Sequence, residues 1–210
     1  MAVNIEDVNQ TSELSRELCW LESALDMHHP NEWCKYLLCE ELFGKRVIVA
    51  TNRQRLHIGT QWAHVFPVGF LPHPDSSYTP GNRYFPYETA IQNCTGAKII
   101  VNRALLEQHL TKLLKAAPKS DTDKLIKLSF DENSMNLVVY NALHGWVRLN
   151  MPCSMKGKPK PMRLNARYLL DAIAGSEVAN VSIQQDKSDH KAICVSPGLG
   201  RVAFMVLFPE

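Results

Sequence analysis

The eight histidines and six cysteines are the residues best suited to chemistry, but their spacing is not that of an active site. No histidine, including the adjacent His28 and His29, is spaced from another histidine, cysteine or carboxylate as a metal site requires. Cys34 and Cys39 flank an apolar segment that is typical of a strand interior. We therefore interpret the cysteines as reduced core thiols of a cytosolic protein and the histidines as surface or capping residues. No catalytic residue, metal or cofactor is predicted.

Composition predicts a globular protein with one large or two small cores. The chain has 210 residues, of which 45% are hydrophobic and 21% are charged. No window approaches the roughly 18 apolar residues of a membrane span. The N-terminal sequence MAVNIEDVNQ has no basic segment followed by an apolar one, so we expect no secretory signal and a cytoplasmic location.

Charge is unevenly distributed along the chain. Residues 1–44 carry nine acids and two bases, whereas residues 45–210 carry twenty-one bases and twelve acids. This asymmetry favours a polyanion-facing surface on the later part, or head-to-tail attraction between copies. A solvated surface with chance clustering is the alternative.

Lysines concentrate on one side of a predicted helix in the middle of the chain. In RALLEQHLTKLLKAA, leucines form one stripe, and Gln108, Lys112 and Lys115 lie opposite. Cations on a helix without apolar neighbours suit sequence-neutral contact with phosphates. An ordinary soluble helix face explains the same pattern.

Three segments share a pattern of one strand, one helix and further strands. In the last, Asn165 is a predicted N-cap and Gly175 a predicted left-handed C-cap. In the middle segment, Asn102 ends a strand and is the predicted N-cap of the helix that follows. In the first, a strand is predicted within residues 2–8, with Thr11 or Ser12 as the cap. The later strands are predicted in KRVIVAT, RLHIG, KLIKLSF, NLVVYN, WVRLNM, VANVSIQQ, KAICVS and RVAFMVLF.

These segments predict an α+β protein with helices packed on antiparallel sheets. A single unit buries one face only, so pairs of units are expected to share a sheet, and an odd third unit lacks a partner. Proline, glycine and serine are frequent between the first and second units, which indicates a boundary there. The predicted divisions are a half domain at 1–66, a linker at 67–84 and a complete domain at 85–210.

The stretch VIVATNRQRLHIG begins as a strand and then becomes basic and polar. Such a segment is either a solvated turn or the rim of a groove. It resembles a signature of the bacterial DNA polymerase III beta subunit family, the β sliding clamps. RYFPYETAI is similar to the linker before that family's third domain, and RLNARYLLDAI with the terminal VAFMVLFP resembles the end of that domain.

The resemblance implies a DNA-clamp fold of three βαβββ-like units and a cleft that receives a partner's peptide. Asn52, Arg53 and Gln54 depart from the family pattern, which predicts a different peptide preference. The implied cleft residues are Thr51, Arg53, Arg55, Leu56, Pro86, Ile91, Val206, Phe208 and Pro209. The implied DNA-facing residues are Arg103, Gln108, Lys112, Lys115, Lys119 and Arg167.

The resemblance further implies a nucleoid-associated, non-enzymatic processivity factor. Its expected partners are double-stranded DNA, a DNA polymerase or other clamp-binding proteins, and copies of itself. Clamp rings contain twelve such units, so a tetramer is favoured, with a dimer or trimer as alternatives. A second hypothesis is a regulator that does not encircle DNA, and that sequesters clamp-binding peptides or binds the host clamp. An enzyme is a third.

Overall fold

The computed structural model describes residues 5–71, 87–117, 124–141, 145–187, 192–198 and 200–208. It is an α+β structure with antiparallel strands, as the sequence predicts. The chain divides into two compact units. The first comprises Met1–Phe85 and Leu199–Arg201, and the second comprises Pro86–Gly198 and Val202–Glu210.

In the first unit, one helix accompanies four antiparallel strands in the order β4-β1-β2-β3. Val47 to Ala50 on β2 are all buried, and Leu21 on the helix is fully buried. Short 3-10 helices span Glu32–Lys35 and Ala63–Val65. The elements are α1 (Ile5–Glu22), β1 (Leu37–Leu42), β2 (Lys45–Thr51), β3 (Arg55–Gly59) and β4 (Gly69–Leu71).

Two predictions for the first unit are wrong. The chain is helical from Ile5, so no strand occupies the described part of residues 2–8, and Thr11 and Ser12 lie inside α1. A short apolar segment does not by itself distinguish a strand from a helix. Within the predicted linker, residues 69–71 form β4 against β1.

The second unit holds two copies of a strand–helix–three-strand repeat and one additional short helix, α2. Its strands follow the order β12-β11-β10-β5-β8-β7-β6-β9. The elements are α2 (Glu88–Asn93), β5 (Lys98–Asn102), α3 (Arg103–Ala116), β6 (Leu125–Asp131), β7 (Ser134–Asn141), β8 (Gly145–Lys156), β9 (Met162–Asn165), α4 (Ala166–Ile173), β10 (Asn180–Gln185), β11 (Ala192–Gly198) and β12 (Arg201–Val206).

The strand β8 is longer than the sequence predicts and takes part in two sheets. Its first part pairs with β7, from Gly145 to Pro152, and its last part pairs with β5, from Cys153 to Lys156. Strands β8, β7, β6 and β9 form one four-stranded sheet, called the β6–β9 sheet below. Its inward-facing residues, such as Leu128 and Leu137, are fully buried. Helices α3 and α4 pack against each other, and α3 also packs on β7 and β8.

Candidate functional site

The two helices of the second unit begin at the predicted asparagine caps. The side chain of Asn102 accepts a hydrogen bond from the backbone N–H of Leu105, at 2.9 Å. The side chain of Asn165 accepts from the N–H groups of Arg167 and Tyr168. Each cap satisfies backbone donors that a first helical turn leaves unpaired, so both predictions are confirmed.

The solvent-exposed side of α3 carries the predicted polar face. Gln108, Lys112 and Lys115 are exposed, whereas Leu106 and Leu110 are fully buried. The buried and exposed residues alternate with the 3.6-residue period of an amphipathic helix. Two lysines and one amide therefore lie along one solvent-facing side of α3.

The remaining predicted DNA-facing residues differ in their surroundings. Arg167 is exposed in the first turn of α4. Arg103 is half-buried, since it donates to the carboxylate of Glu107 at 2.6 Å and to the carbonyl oxygen of Val178 at 3.2 Å. Its charge is therefore partly compensated within the unit. Lys119 lies outside the described residues.

Two side chains build the β2–β3 hairpin, which contains four of the predicted cleft residues. The hydroxyl of Thr51 donates to the carbonyl oxygen of Arg55 at 2.6 Å and accepts from the N–H of Arg53 at 3.0 Å. The amide oxygen of Asn52 accepts from the N–H groups of Gln54 and Arg55. Arg53 has a φ of 75°, a left-handed conformation that the hairpin tip imposes.

This geometry separates structural from accessible residues in the hairpin. Thr51 and Leu56 are buried in the first unit, so they shape the hairpin. Arg53 is exposed and Arg55 is half-buried. Of the four predicted cleft residues in the hairpin, Arg53 and Arg55 are therefore the two whose side chains reach solvent.

The other predicted cleft residues belong to the second unit. Ile91 is half-buried on α2, and Val206 at the end of β12 is 45% exposed. Phe208 donates its N–H to the carbonyl oxygen of Arg163, so it lies beside β9. Pro86 and Pro209 lie outside the described residues. The role of the whole set in partner binding stays a prediction.

The first unit contains a buried ionic cluster that the sequence interpretation missed. Arg201 donates from Nε to the carboxylate of Glu17, and its guanidinium lies 5.1 Å from the centre of the Trp20 ring. The ring of His57 stacks on Trp20 with centroids 4.4 Å apart, and its Nδ1 donates to the carbonyl oxygen of Trp20 at 2.8 Å. One signal was available: Glu17 lies three residues after Leu14 and four before Leu21, on the apolar side of α1.

Burial controls the titration of His57. Desolvation lowers the pKa of this histidine to about 3, because a charged imidazolium is unfavourable in the core. His109 on α3 is also buried, with Nε2 3.2 Å from the carbonyl oxygen of Asn150. The interpretation of the histidines as surface or capping residues is wrong for these two.

Three cysteines are buried core thiols, namely Cys34, Cys39 and Cys94, and Cys153 and Cys194 are half-buried. Cys19 on α1 is exposed, so the prediction of a core thiol is wrong for it. Burial raises the pKa of Cys34 and of Cys194 to about 11, and that of Cys94 to about 12. Nucleophilic cysteines have lowered rather than raised pKa values. Within the described part of the chain, no three histidine, cysteine or carboxylate side chains are grouped as metal ligands. None of its helices is long and apolar enough to cross a membrane.

Comparison with known proteins identifies the fold. Neither a protein-family model nor a curated protein matches the sequence. The structure, in contrast, matches the beta sliding clamp of C. crescentus with a TM-score of 0.78 at 16% identity, over 95% of this chain. It matches the DNA polymerase III subunit beta of Pseudomonas aeruginosa with a TM-score of 0.79 at 13% identity. The chain has the sliding-clamp fold.

The chain spans about 64% of the length of those two clamps. A third similar structure is the sliding clamp from Bartonella birtlesii bound to griselimycin, with a TM-score of 0.77 at 15% identity over 95% of this chain and 65% of that one. The similarity confirms the predicted fold class and the resemblance on which it depended. The residues described above therefore belong to a sliding-clamp fold.

Proposed function

We propose that this protein is a non-enzymatic clamp that tethers a partner protein to double-stranded DNA. The observation that supports this best is the exposure of Lys112 and Lys115 on the solvent-facing side of α3, within a sliding-clamp fold. Lysine ammonium groups bind phosphates as point charges and do not read base edges, so contact with DNA is independent of sequence.

Arg167 extends this surface onto a second helix. It is exposed at the start of α4, and α4 packs directly on α3. Arg103 contributes less, because Glu107 already pairs with it. Three exposed cations on two packed helices give a modest phosphate-binding surface, and several copies are needed to hold a duplex firmly.

Self-assembly supplies those copies in this proposal. The chain contains one complete pair of repeats in its second unit and a single helix-and-sheet repeat in its first. The spare repeat completes a domain with a neighbouring copy, and four chains then provide the twelve units of a ring. The assembled protein is nucleoid-associated in the cytoplasm.

Partner proteins bind, in this proposal, through the cleft residues that the resemblance names. Apolar side chains such as Ile91 and Val206 receive a short peptide, and Arg55 holds a carboxylate or carbonyl group of the partner. Asn52, Arg53 and Gln54 replace the aspartate, glycine and histidine of the family pattern, so the preferred peptide differs from that of the host clamp.

The test of DNA tethering compares circular with linear duplex DNA. The double variant Lys112→Glu/Lys115→Glu should lose retention on circular plasmid, because it places like charges against phosphates. Wild type should remain on nicked circular plasmid through a salt wash and leave linearised plasmid. The matched control, Lys45→Glu/Lys187→Glu, alters two exposed lysines elsewhere and should behave as wild type. Equal retention of all three proteins contradicts the proposal.

The alternative function is a regulator that sequesters clamp-binding peptides without encircling DNA. A protein that binds such peptides but leaves circular and linear plasmid equally fast has this function. Val206→Asp should abolish peptide binding, whereas Val68→Asp, at another exposed valine, should not. The partial exposure of Val206 makes the substitution tolerable for folding.

A further inference from the structure

The outer face of the β6–β9 sheet carries a row of cations that the proposed function does not use. Arg163 on β9 lies opposite Lys127 on β6, Lys127 lies opposite Val138 on β7, and Val138 lies opposite Arg148 on β8. Directly opposite residues of an antiparallel sheet share a face. The row therefore crosses all four strands on one side of the sheet, with a cation on three of them.

An exposed aromatic pair adjoins this row. Tyr140 and Trp146 are opposite each other on β7 and β8, two register positions from Val138 and Arg148, which makes them the next pair on the same face. Their ring centroids are 5.0 Å apart and the rings are tilted by 57°. Trp146 is 71% exposed and Tyr140 is 53% exposed, so a broad part of the indole is open to a ligand.

This face is opposite to the one that carries the helices. Leu128 on β6, Leu137 on β7 and Met151 on β8 point to the other side and are fully buried, where α3 packs on β7 and β8. The carboxylate of Asp131 lies four register positions along the strands from the cationic row and accepts a hydrogen bond from Asn136 at 2.8 Å. The row and the aromatic pair thus form a surface distinct from the lysines of α3.

We propose that this outer face binds single-stranded nucleic acid. Neighbouring strands are about 4.8 Å apart, so the cations on β9 and β6 lie one strand apart and those on β6 and β8 lie two strands apart. All three can contact phosphates of one extended nucleic-acid strand that crosses this face. The exposed indole offers a stacking platform for a base, and such stacking contributes about 1–3 kcal/mol per base. Stacking and charge together bind any sequence, because every base has a π-face.

The test measures the binding of a fluorescein-labelled oligothymidylate by polarisation. Wild type should bind it, and Trp146→Ala should weaken binding at least tenfold, whereas Trp146→Phe keeps a ring and should restore most of it. Arg148→Ala should lower the slope of log K against log salt by about 0.7, the value for one phosphate contact on a single strand. Both substituted side chains are exposed, so unchanged circular dichroism and thermal melting serve as controls for folding.

Different variants test this proposal and the duplex-tethering proposal, so one can be wrong while the other holds. Lys112→Glu/Lys115→Glu should lose duplex retention and keep oligothymidylate binding, and Trp146→Ala should show the reverse. Equal oligothymidylate affinity for wild type and Trp146→Ala overturns the inference. A Trp146→Ala protein with a changed solution mass and unchanged oligothymidylate affinity also overturns it, because the face is then a contact between copies.

Discussion

At the scale of single residues, the ion pair of Glu17 and Arg201 dominates the core of the first unit. Both side chains are almost completely buried. Burial of two charges is tolerated only when each satisfies the other, so loss of one partner costs about 3–5 kcal/mol. The guanidinium of Arg201 lies over the Trp20 ring, and the ring of His57 stacks on Trp20.

Gly59 is required beside this pair. A Cβ atom at position 59 would overlap Oε1 of Glu17, so Gly59→Ala must displace a buried carboxylate. We expect the free energy of unfolding to fall by about 2–3 kcal/mol, measured by urea denaturation. The control is Gly44→Asn, which places a residue that tolerates φ near 73° where no atom lies within 4 Å. A Gly59→Ala protein as stable as Gly44→Asn contradicts the packing described here.

His57 makes stability depend on pH. Because its pKa is about 3 in the folded protein and about 6.5 when unfolded, the unfolded state binds a proton first as pH falls. Stability is therefore fully present above pH 6.5 and decreases below it, by about 2 kcal/mol between pH 7 and pH 5. Denaturation at the two pH values measures this loss.

The control for this pH dependence is His57→Gln. Glutamine keeps a donor for the carbonyl oxygen of Trp20 but does not titrate, so its lower stability should be nearly constant between pH 7 and pH 5. An equal pH dependence in wild type and His57→Gln would assign the effect to other groups.

At the scale of elements, local signals were sufficient wherever the sequence prediction is confirmed. The strands β2 and β3 coincide with the predicted segments, and Asn102 and Asn165 are caps, because each pattern depends on near neighbours. The strand prediction within residues 2–8 is wrong because a short apolar segment does not distinguish strand from helix. The helix α3 ends at Ala116, since Pro118 disfavours helical conformation in the residue before it.

The two caps should differ in their contribution to stability. Asn165→Ala leaves two backbone donors unsatisfied beside a buried site, so we expect a loss of about 2 kcal/mol, against about 1 kcal/mol for the exposed Asn102→Ala. Thermal unfolding measures both. Asn→Asp at either position keeps an acceptor and should retain most of the stability.

At the scale of the whole molecule, the resemblance to a known family predicts the fold but does not predict individual long-range contacts. Glu17 and Arg201 are 184 positions apart, so no local pattern joins them. The aromatic pair on β7 and β8 depends on strand register, which the sequence alone does not give. The predicted cleft and DNA-facing residues came from the family resemblance, and their roles stay predictions.

Assembly is the decisive property at this scale. If the spare repeat of the first unit is completed by a neighbouring copy, native mass spectrometry at micromolar concentration should show a species of four times the 23.7 kDa chain mass. The variant Lys112→Glu/Lys115→Glu should give the same species, since it alters the DNA surface. A spectrum with monomer alone contradicts self-assembly and favours the peptide-sequestering regulator.

The position of Arg201 in the sequence has a consequence for dissecting the protein. The first unit takes its only described C-terminal contribution from Gly200 and Arg201, which are separated from the rest of that unit by more than a hundred residues. A recombinant fragment that stops at Phe85 therefore retains the anion of the core and lacks its counter-ion. Such a fragment should be unstructured by heteronuclear NMR. The first unit therefore cannot fold without a residue that the chain supplies more than a hundred positions later.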